Sequence, residues 1–385
     1  MKLLKNSCLL VIFAILISSC STNEDEYFDI ITATDQEILN QTLNLPENDF
    51  NYANVNLPAF FYDNNLMQED NTPNENRIRN QGATLGRVLF YDVALSKNNT
   101  ISCASCHVQE KSFSDPNKFS VGFEGVVTAR NSMSLTNARF YRNRRFFWDE
   151  RAASLEEQVL EPIQDHIEMG LTLTELEEEL SSKRKYKILF RRAFGDTIVT
   201  RQRIARGLSQ FVRSLVSYQS KYDEGLAQTN DPRSPFSNFT NSENRGKQLF
   251  FSQQTNCIQC HRTNAFIGDR ARNNGLDFVL TDLGVGGITN RANDFGEFKV
   301  PSLRNIEVTG PYMHDGRFST LEQVIDHYNS GVKNSPNLDR RLRRGNGVRR
   351  LNLSTSDKTA LKDFLLTLTD RTFLTDEKFS SPFKN

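Results

Sequence analysis

Two pentapeptides carry the chemistry of this chain: Cys103-Ala104-Ser105-Cys106-His107 and Cys257-Ile258-Gln259-Cys260-His261. In each, two thiols stand three positions apart and an imidazole follows the second. Thiols so spaced can add to the two vinyl groups of one haem, and the adjacent histidine can then ligate its iron. The two copies use four of the six cysteines and two of the five histidines. A structural zinc site would pair such motifs closely in sequence, and these lie far apart. A zinc site or a disulfide pair is the alternative. The chemistry expected is that of two covalently bound haems c, with Cys103, Cys106, His107, Cys257, Cys260 and His261 as attachment and iron-ligating residues.

Haem c attachment takes place outside the cytoplasm, and the N-terminus agrees with that. Lys2 and Lys5 precede the apolar run Leu9–Ile17, which is too short for a membrane span and suits a signal-peptide core. Ile17-Ser18-Ser19-Cys20 resembles a bacterial lipobox, so residues 1–19 are expected to be a lipoprotein signal peptide, with Cys20 lipidated. An ordinary signal peptide with an incidental cysteine is the alternative. Cys8 would be lost with the leader. The protein is thus expected in the periplasm, or held by its lipid at the outer membrane, of a Gram-negative bacterium. The whole chain has 47 basic and 47 acidic residues. This balance gives no reason to invoke nucleic acid, or membrane contact beyond the lipid.

The elements that must hold these motifs are helical. Residues 20–75 are rich in Asn, Asp, Glu and Thr and read as a tether and extension, with Leu57–Phe61 able to pack on the body. Helices are expected from about Asn76 to Tyr91, from Thr172 to a C-terminal Gly195, from Thr200 to Tyr222, from an Asn241 or Ser242 cap to Phe250, and from Ser356 onward. Asp231-Pro232-Arg233-Ser234-Pro235 breaks the chain and marks a domain boundary. The fold class expected is mainly α: two cytochrome c-like domains, 76–235 and 236–385, each with one haem c. Gly86-Arg87-Val88-Leu89-Phe90 and Gly246-Lys247-Gln248-Leu249-Phe250 form a weak internal repeat, each on the helix that leads into a haem motif. No long alternating strand pattern occurs.

The stretch between the motifs, Phe147-Trp148-Asp149-Glu150-Arg151-Ala152-Ala153-Ser154-Leu155-Glu156-Glu157-Gln158 with Pro162-Ile163-Gln164 and Glu168-Met169, resembles the bacterial di-haem cytochrome c peroxidases. So do Val300–Ile306 and Thr309-Gly310-Pro311-Tyr312-Met313-His314-Asp315-Gly316. The resemblance covers about residues 78–370 and includes the relatives that mature methylamine dehydrogenase. It implies that hydrogen peroxide binds at the N-terminal haem and that electrons arrive at the C-terminal haem from a small cytochrome c or cupredoxin. It also implies that Glu168 is the acid/base residue, that Gln158 is its distal-pocket companion and that Trp148 lies between the haems. Asn131 and the carbonyls of Thr309 and Pro311 match a calcium site. A homodimer is compatible with the family. Glu150 stands where the family pattern has glycine.

Two departures from the family bear on mechanism. Phe123 falls where many members place a histidine that blocks the resting peroxidatic haem, and no histidine occurs between His107 and His166. Met133 is the one nearby soft alternative, and His166 reads as a surface or outlying group. The first haem is therefore expected to be open in the ferric state. Tyr328 falls where the family often has the second haem's methionine, and tyrosine is an accepted haem ligand. His327 and Met313 are the competing candidates. Three functions stay open: a peroxidase, an enzyme of the maturation type that oxidises a partner protein, and a di-haem electron carrier.

Overall fold

The computed structural model describes residues 34–384. The expected signal peptide, Cys20 and the first part of the expected tether lie outside the described residues. Among the described residues no helix is long and apolar enough to cross a membrane. Helices joined by long loops dominate. The one regular strand pair among the described residues is a two-residue hairpin, Arg343–Arg344 with Gly347–Val348.

Four helices organise the molecule: α1 (Asn80–Tyr91), α2 (Arg201–Ser214), α3 (Asn241–Phe250) and α4 (Thr355–Leu366). The α1 helix packs on α2, and α3 packs on α4. The internal repeat explains both crossings. A Cβ on Gly86 would lie 2.0 Å from the Gly207 carbonyl oxygen, and one on Gly246 would lie 1.8 Å from that of Ala360. Only glycine lets the helices approach this closely. The next residue of the repeat is a buried cation in both copies: Arg87 Nε donates to the Ser380 carbonyl at 2.6 Å, and Lys247 Nζ to that of Pro232 at 2.9 Å. Leu89 and Phe90 enter one core and Leu249 and Phe250 the other. The two halves thus repeat one design.

The cores divide earlier in the chain than the Pro-rich break. One apolar cluster draws on residues up to Leu215 and the other begins at Tyr222. The crossing lies at Val216–Ser220, where the Asp370 carboxylate accepts hydrogen bonds from Ser217 Oγ and the Tyr218 and Gln219 amides. The C-terminal tail then returns to the first half: Phe373, Leu374 and Phe379 join its core, and the Tyr91 hydroxyl donates to the Phe379 carbonyl at 2.7 Å.

Several elements differ from expectation. From Asp35 the extension is folded rather than a tether. Helix Asp35–Thr42 has a Thr34–Glu37 capping box, buries Leu39, and continues to Leu43, which bridges to Phe383. Phe61 is fully buried, in keeping with the apolar Leu57–Phe61 run. The single helix expected from Thr172 is two, Leu173–Ser182 and Arg184–Phe194, broken at an extended Lys183. Ser182 Oγ turns back to the Glu179 carbonyl, and serine offers the backbone this alternative to helix. The α2 helix stops at Ser214 for the same reason, with its hydroxyl 2.6 Å from the Phe211 carbonyl. Thr240 and Ser354 are the caps of α3 and α4, so both begin within two residues of the positions expected.

Candidate functional site

The first motif sits in a capped helical turn, Cys103–Cys106, that follows α1. The next loop, tightened by left-handed Ser112 and Phe113, folds beneath His107. His107 Nδ1 is 2.8 Å from the Phe113 carbonyl, and the Met133 carbonyl also faces the ring. A backbone acceptor on Nδ1 fixes the ring and leaves Nε2 for a metal. Burial holds this imidazole down, which favours the neutral form a ligand needs. The Met133 backbone is thus on the histidine side of the site.

Glu168 stands close enough to both thiols for its charge to act on them. Burial pushes Cys103 up to about 12 and Cys106 to about 11, and Glu168 adds to each rise. The Asp165 carboxylate builds the turn that presents it, accepting from the Ile167 amide at 2.7 Å and the Glu168 amide at 3.2 Å. Burial pushes Glu168 itself up to about 7, Asp165 adds to the push and Arg151 opposes it. The Glu168 side chain has no hydrogen-bond donor among the described residues. His166, two positions away, is exposed. Gln158 ends the short helix Leu155–Gln158, half-buried, with its amide uncommitted.

Phe123 is tied to the backbone of the turn that carries Glu168. Its amide donates to the Glu168 carbonyl at 3.0 Å, and its ring covers Gly170 so closely that a Cβ there would come within 2.6 Å. Asn98 Nδ2 anchors the Phe123 carbonyl at 2.8 Å. The loop is therefore pinned at both ends of this residue.

Trp148 and Asn131 meet at the junction of the halves. Trp148 Nε1 donates to the Asn131 carbonyl at 2.7 Å, and the Asn131 amide to the His314 carbonyl at 2.8 Å. The Trp148 carbonyl accepts from the Lys299 amide at 2.8 Å. Trp148 also lines the cleft of the second motif and meets His314 edge-on, with ring centres 6.4 Å apart. Asn131 Nδ2 is used on the Asn117 carbonyl at 3.0 Å, which leaves Oδ1 as a free acceptor. The Thr309 and Pro311 carbonyls accept no backbone hydrogen bond among the described residues. Oxygen donors of this kind are those a hard cation such as Ca²⁺ takes.

The second motif opens into a largely apolar cleft enclosing ≈ 1450 Å³ of atom-free space, part of it open to solvent. Cys257, Cys260 and His261 form one wall, and Tyr328, Met313, Leu321 and Ile325 stand among the others. Size, apolar lining and placement of the motif fit a haem. His261 is half-buried, and the burial of its ring holds it down at about 4. Its Nδ1 has no hydrogen bond within range, and the nearest acceptors are the Phe266 and Pro301 carbonyls.

The three candidate distal ligands separate here. Tyr328 faces the cleft, whereas His327 turns away: its Nε2 is 3.1 Å from the Asn274 carbonyl and its ring packs near Phe318. The local helix winds differently at this point, with a π-turn over His327–Gly331. Such turns re-aim side chains and cluster at functional sites. Met313, in a left-handed conformation, has its sulfur 3.5 Å from Asn274 Nδ2. Asn274 also reaches the Tyr328 hydroxyl and draws its pKa down, but burial prevails and pushes it up to about 12. One asparagine thus touches all three candidates. Nothing in the local sequence marks it.

Glu150 now has a physical account. Its φ of 56° explains why glycine suits the position. Its buried carboxylate accepts from the Tyr141 hydroxyl and from Asn143 Nδ2 at 2.5 Å, and it offsets the buried Lys299 ammonium from the other half. Burial drives Lys299 well below its ordinary range, and Glu150 opposes that. The Lys299 ammonium lies over the Tyr141 ring, 2.8 Å from its centre.

The sequence family model for di-haem cytochrome c peroxidase matches residues 80–231. A methylamine utilization protein MauG from Methylophilus methylotrophus is 35% identical over 67% of this chain and 75% of its own length. A cytochrome c551 peroxidase from Nitrosomonas europaea is 34% identical over 63% and 71%. The crystal structure of a MauG-like protein associated with microbial copper homeostasis superposes with a TM-score of 0.70 at 33% identity, covering 80% of this chain and 95% of that one. The chain belongs to the di-haem cytochrome c peroxidase family, an oxidoreductase family that holds both peroxidases and MauG-type enzymes.

Proposed function

We propose that the protein is a cytochrome c peroxidase that reduces hydrogen peroxide to water. Peroxide takes up two electrons and two protons and yields two waters. The electrons come one at a time from a small cytochrome or cupredoxin through the C-terminal haem. Glu168 carries this reading: a carboxyl group without a donor partner, close to both thiols of the first motif and pushed up to about 7. When bound, the first haem supplies an iron on which peroxide and electrons meet. His107 would ligate that iron, and Glu168 would act on the peroxide bound there. The Glu168 carboxylate takes the proton from one peroxide oxygen and gives it to the other, which leaves as water. A group titrating near neutrality does both halves of that transfer efficiently. The Gln158 amide is free to hydrogen-bond the peroxide. Trp148, which spans the junction and reaches the second cleft, is the proposed route for electrons. Asn131, Thr309 and Pro311 are proposed to hold calcium beside it.

Tyr328 favours a second reading. A tyrosine-ligated second haem has a lowered potential, and that suits an enzyme of the maturation type, which draws electrons from a partner protein. Steady-state turnover with a reduced small cytochrome and peroxide decides between them. Sustained oxidation of the cytochrome that depends on peroxide supports the peroxidase. Peroxide consumption without it supports the second reading.

A further inference from the structure

We propose that the arginine-rich hairpin at residues 340–350 is the docking surface for an acidic electron-transfer protein. The inference rests on the reading that electrons enter at the second site, and it names the partner's chemistry. Arg340, Arg341, Arg343, Arg344, Arg349 and Arg350 fall within eleven positions of a chain whose charges balance only when they are counted. The one carboxylate nearby, Asp339, is shared between the buried Arg272 at 2.9 Å and Arg341 at 3.4 Å. The remaining guanidinium groups are not neutralised. Arg343 donates to the Leu338 and Ser335 carbonyls at 3.0 and 2.9 Å, Arg349 to those of Gln253 and Gln254, and Arg350 to those of Ser330 and Val332. Carbonyl acceptors fix these side chains in place and leave their full charge outward. Arg340 and Arg344 are exposed and have no carboxylate partner among the described residues.

Position gives the patch its meaning. Arg341 and Leu342 form part of the wall of the second cleft. The Arg349 contacts fasten the hairpin to the residues just before Cys257. An acidic partner seated on the hairpin approaches the wall that carries the attachment cysteines. Such charge complementarity speeds encounter and sets orientation. An anionic membrane is the less favoured occupant, because exposed large apolar side chains lie elsewhere, at Val121, Val126, Val127, Phe278 and Val279. Membrane-seated surfaces combine charge with apolar insertion.

The test is stopped-flow reduction of the ferric, haem-loaded protein without peroxide. The donors are a reduced acidic c-type cytochrome and a reduced basic one of similar potential, from about 10 to 300 mM ionic strength. Each rate is referred to that of an uncharged small reductant on the same protein. The acidic donor should be the faster, and its rate constant should fall about tenfold or more as salt rises. The triple variant R340Q/R344Q/R350Q, which leaves the cleft wall untouched, should lose most of that salt dependence. A salt-independent rate, or an unchanged slope in the variant, overturns the proposal. Binding to phosphatidylglycerol vesicles that the variant loses, with donor rates unaffected, assigns the patch to a membrane instead and also overturns it. Since no peroxide is present, failure of the peroxidase reading would show in turnover and not in this assay.

Discussion

The Phe123 amide and the Glu168 carbonyl are joined by a 3.0 Å hydrogen bond, so the residue expected at the place of the family's blocking histidine is tied to the backbone of the proposed acid/base residue. Phenylalanine has no lone pair for iron, and the loop is pinned from the other side by Asn98. Phe123→His should therefore supply a ligand. The expected outcome is a shift of the ferric first haem from high-spin to low-spin, with slower binding of peroxide, read by optical and electron paramagnetic resonance spectra. Wild-type spectra that are already fully low-spin would contradict an open site.

Glu168→Gln keeps the shape of the side chain and removes the transferable proton. Loss of kcat by about 10²–10⁴-fold is expected. In the wild type, kcat/KM should rise with pH through about 7 as the carboxylate forms, and this limb should vanish in the variant. Stability runs the other way. A carboxyl group whose pKa is raised by folding favours the native state only while protonated, so its cost grows from about pH 4.5 to about pH 7 and is constant above. Glu168→Gln should raise Tm at pH 8 and leave it nearly unchanged at pH 4.

Asn274 touches Met313, Tyr328 and, through its carbonyl, His327. Tyr328→Phe should change the second haem's optical spectrum and raise its potential. Asn274→Ala keeps the carbonyl and frees both Met313 and Tyr328. Partial replacement of the tyrosine by methionine as ligand is the expected outcome, visible as a changed ferric optical spectrum and a raised potential. An unchanged spectrum in Tyr328→Phe removes tyrosine from the assignment.

Glu150→Gly restores the family residue and relieves a left-handed conformation worth about 1 kcal/mol. It also removes the carboxylate that accepts from Tyr141 and Asn143 and that opposes the downward shift of the buried Lys299. The lost buried contacts outweigh the relieved backbone, so a lower Tm is expected, with partial recovery when Lys299→Met is added. Gly246→Ala should be more damaging than either, since its Cβ meets a backbone oxygen at 1.8 Å that cannot step aside.

The motifs were legible because covalent haem chemistry dictates residue type and spacing. The internal repeat was legible because a close helix crossing demands glycine. The breaks at Lys183 and Ser214 were not, since serine hydroxyls turn back onto the backbone there against a continuing apolar period. The return of the C-terminal tail to the first core was hidden as well, because a contact such as Leu43 with Phe383 leaves no local signature. Asn274 and the Glu150–Lys299 pair were hidden for the same reason, being made by segments distant in the chain.

An open ferric site worked by Glu168 is tested by rapid mixing of the fully ferric, haem-loaded protein with hydrogen peroxide, without prior reduction, in wild type and Glu168→Gln. A fast Soret change is expected in the wild type, reversed by reductant, and a change slowed about 10²-fold or more in the variant. A wild-type protein that reacts only after its second haem is reduced would contradict the open site, and a variant that reacts as fast as wild type would contradict the role of Glu168.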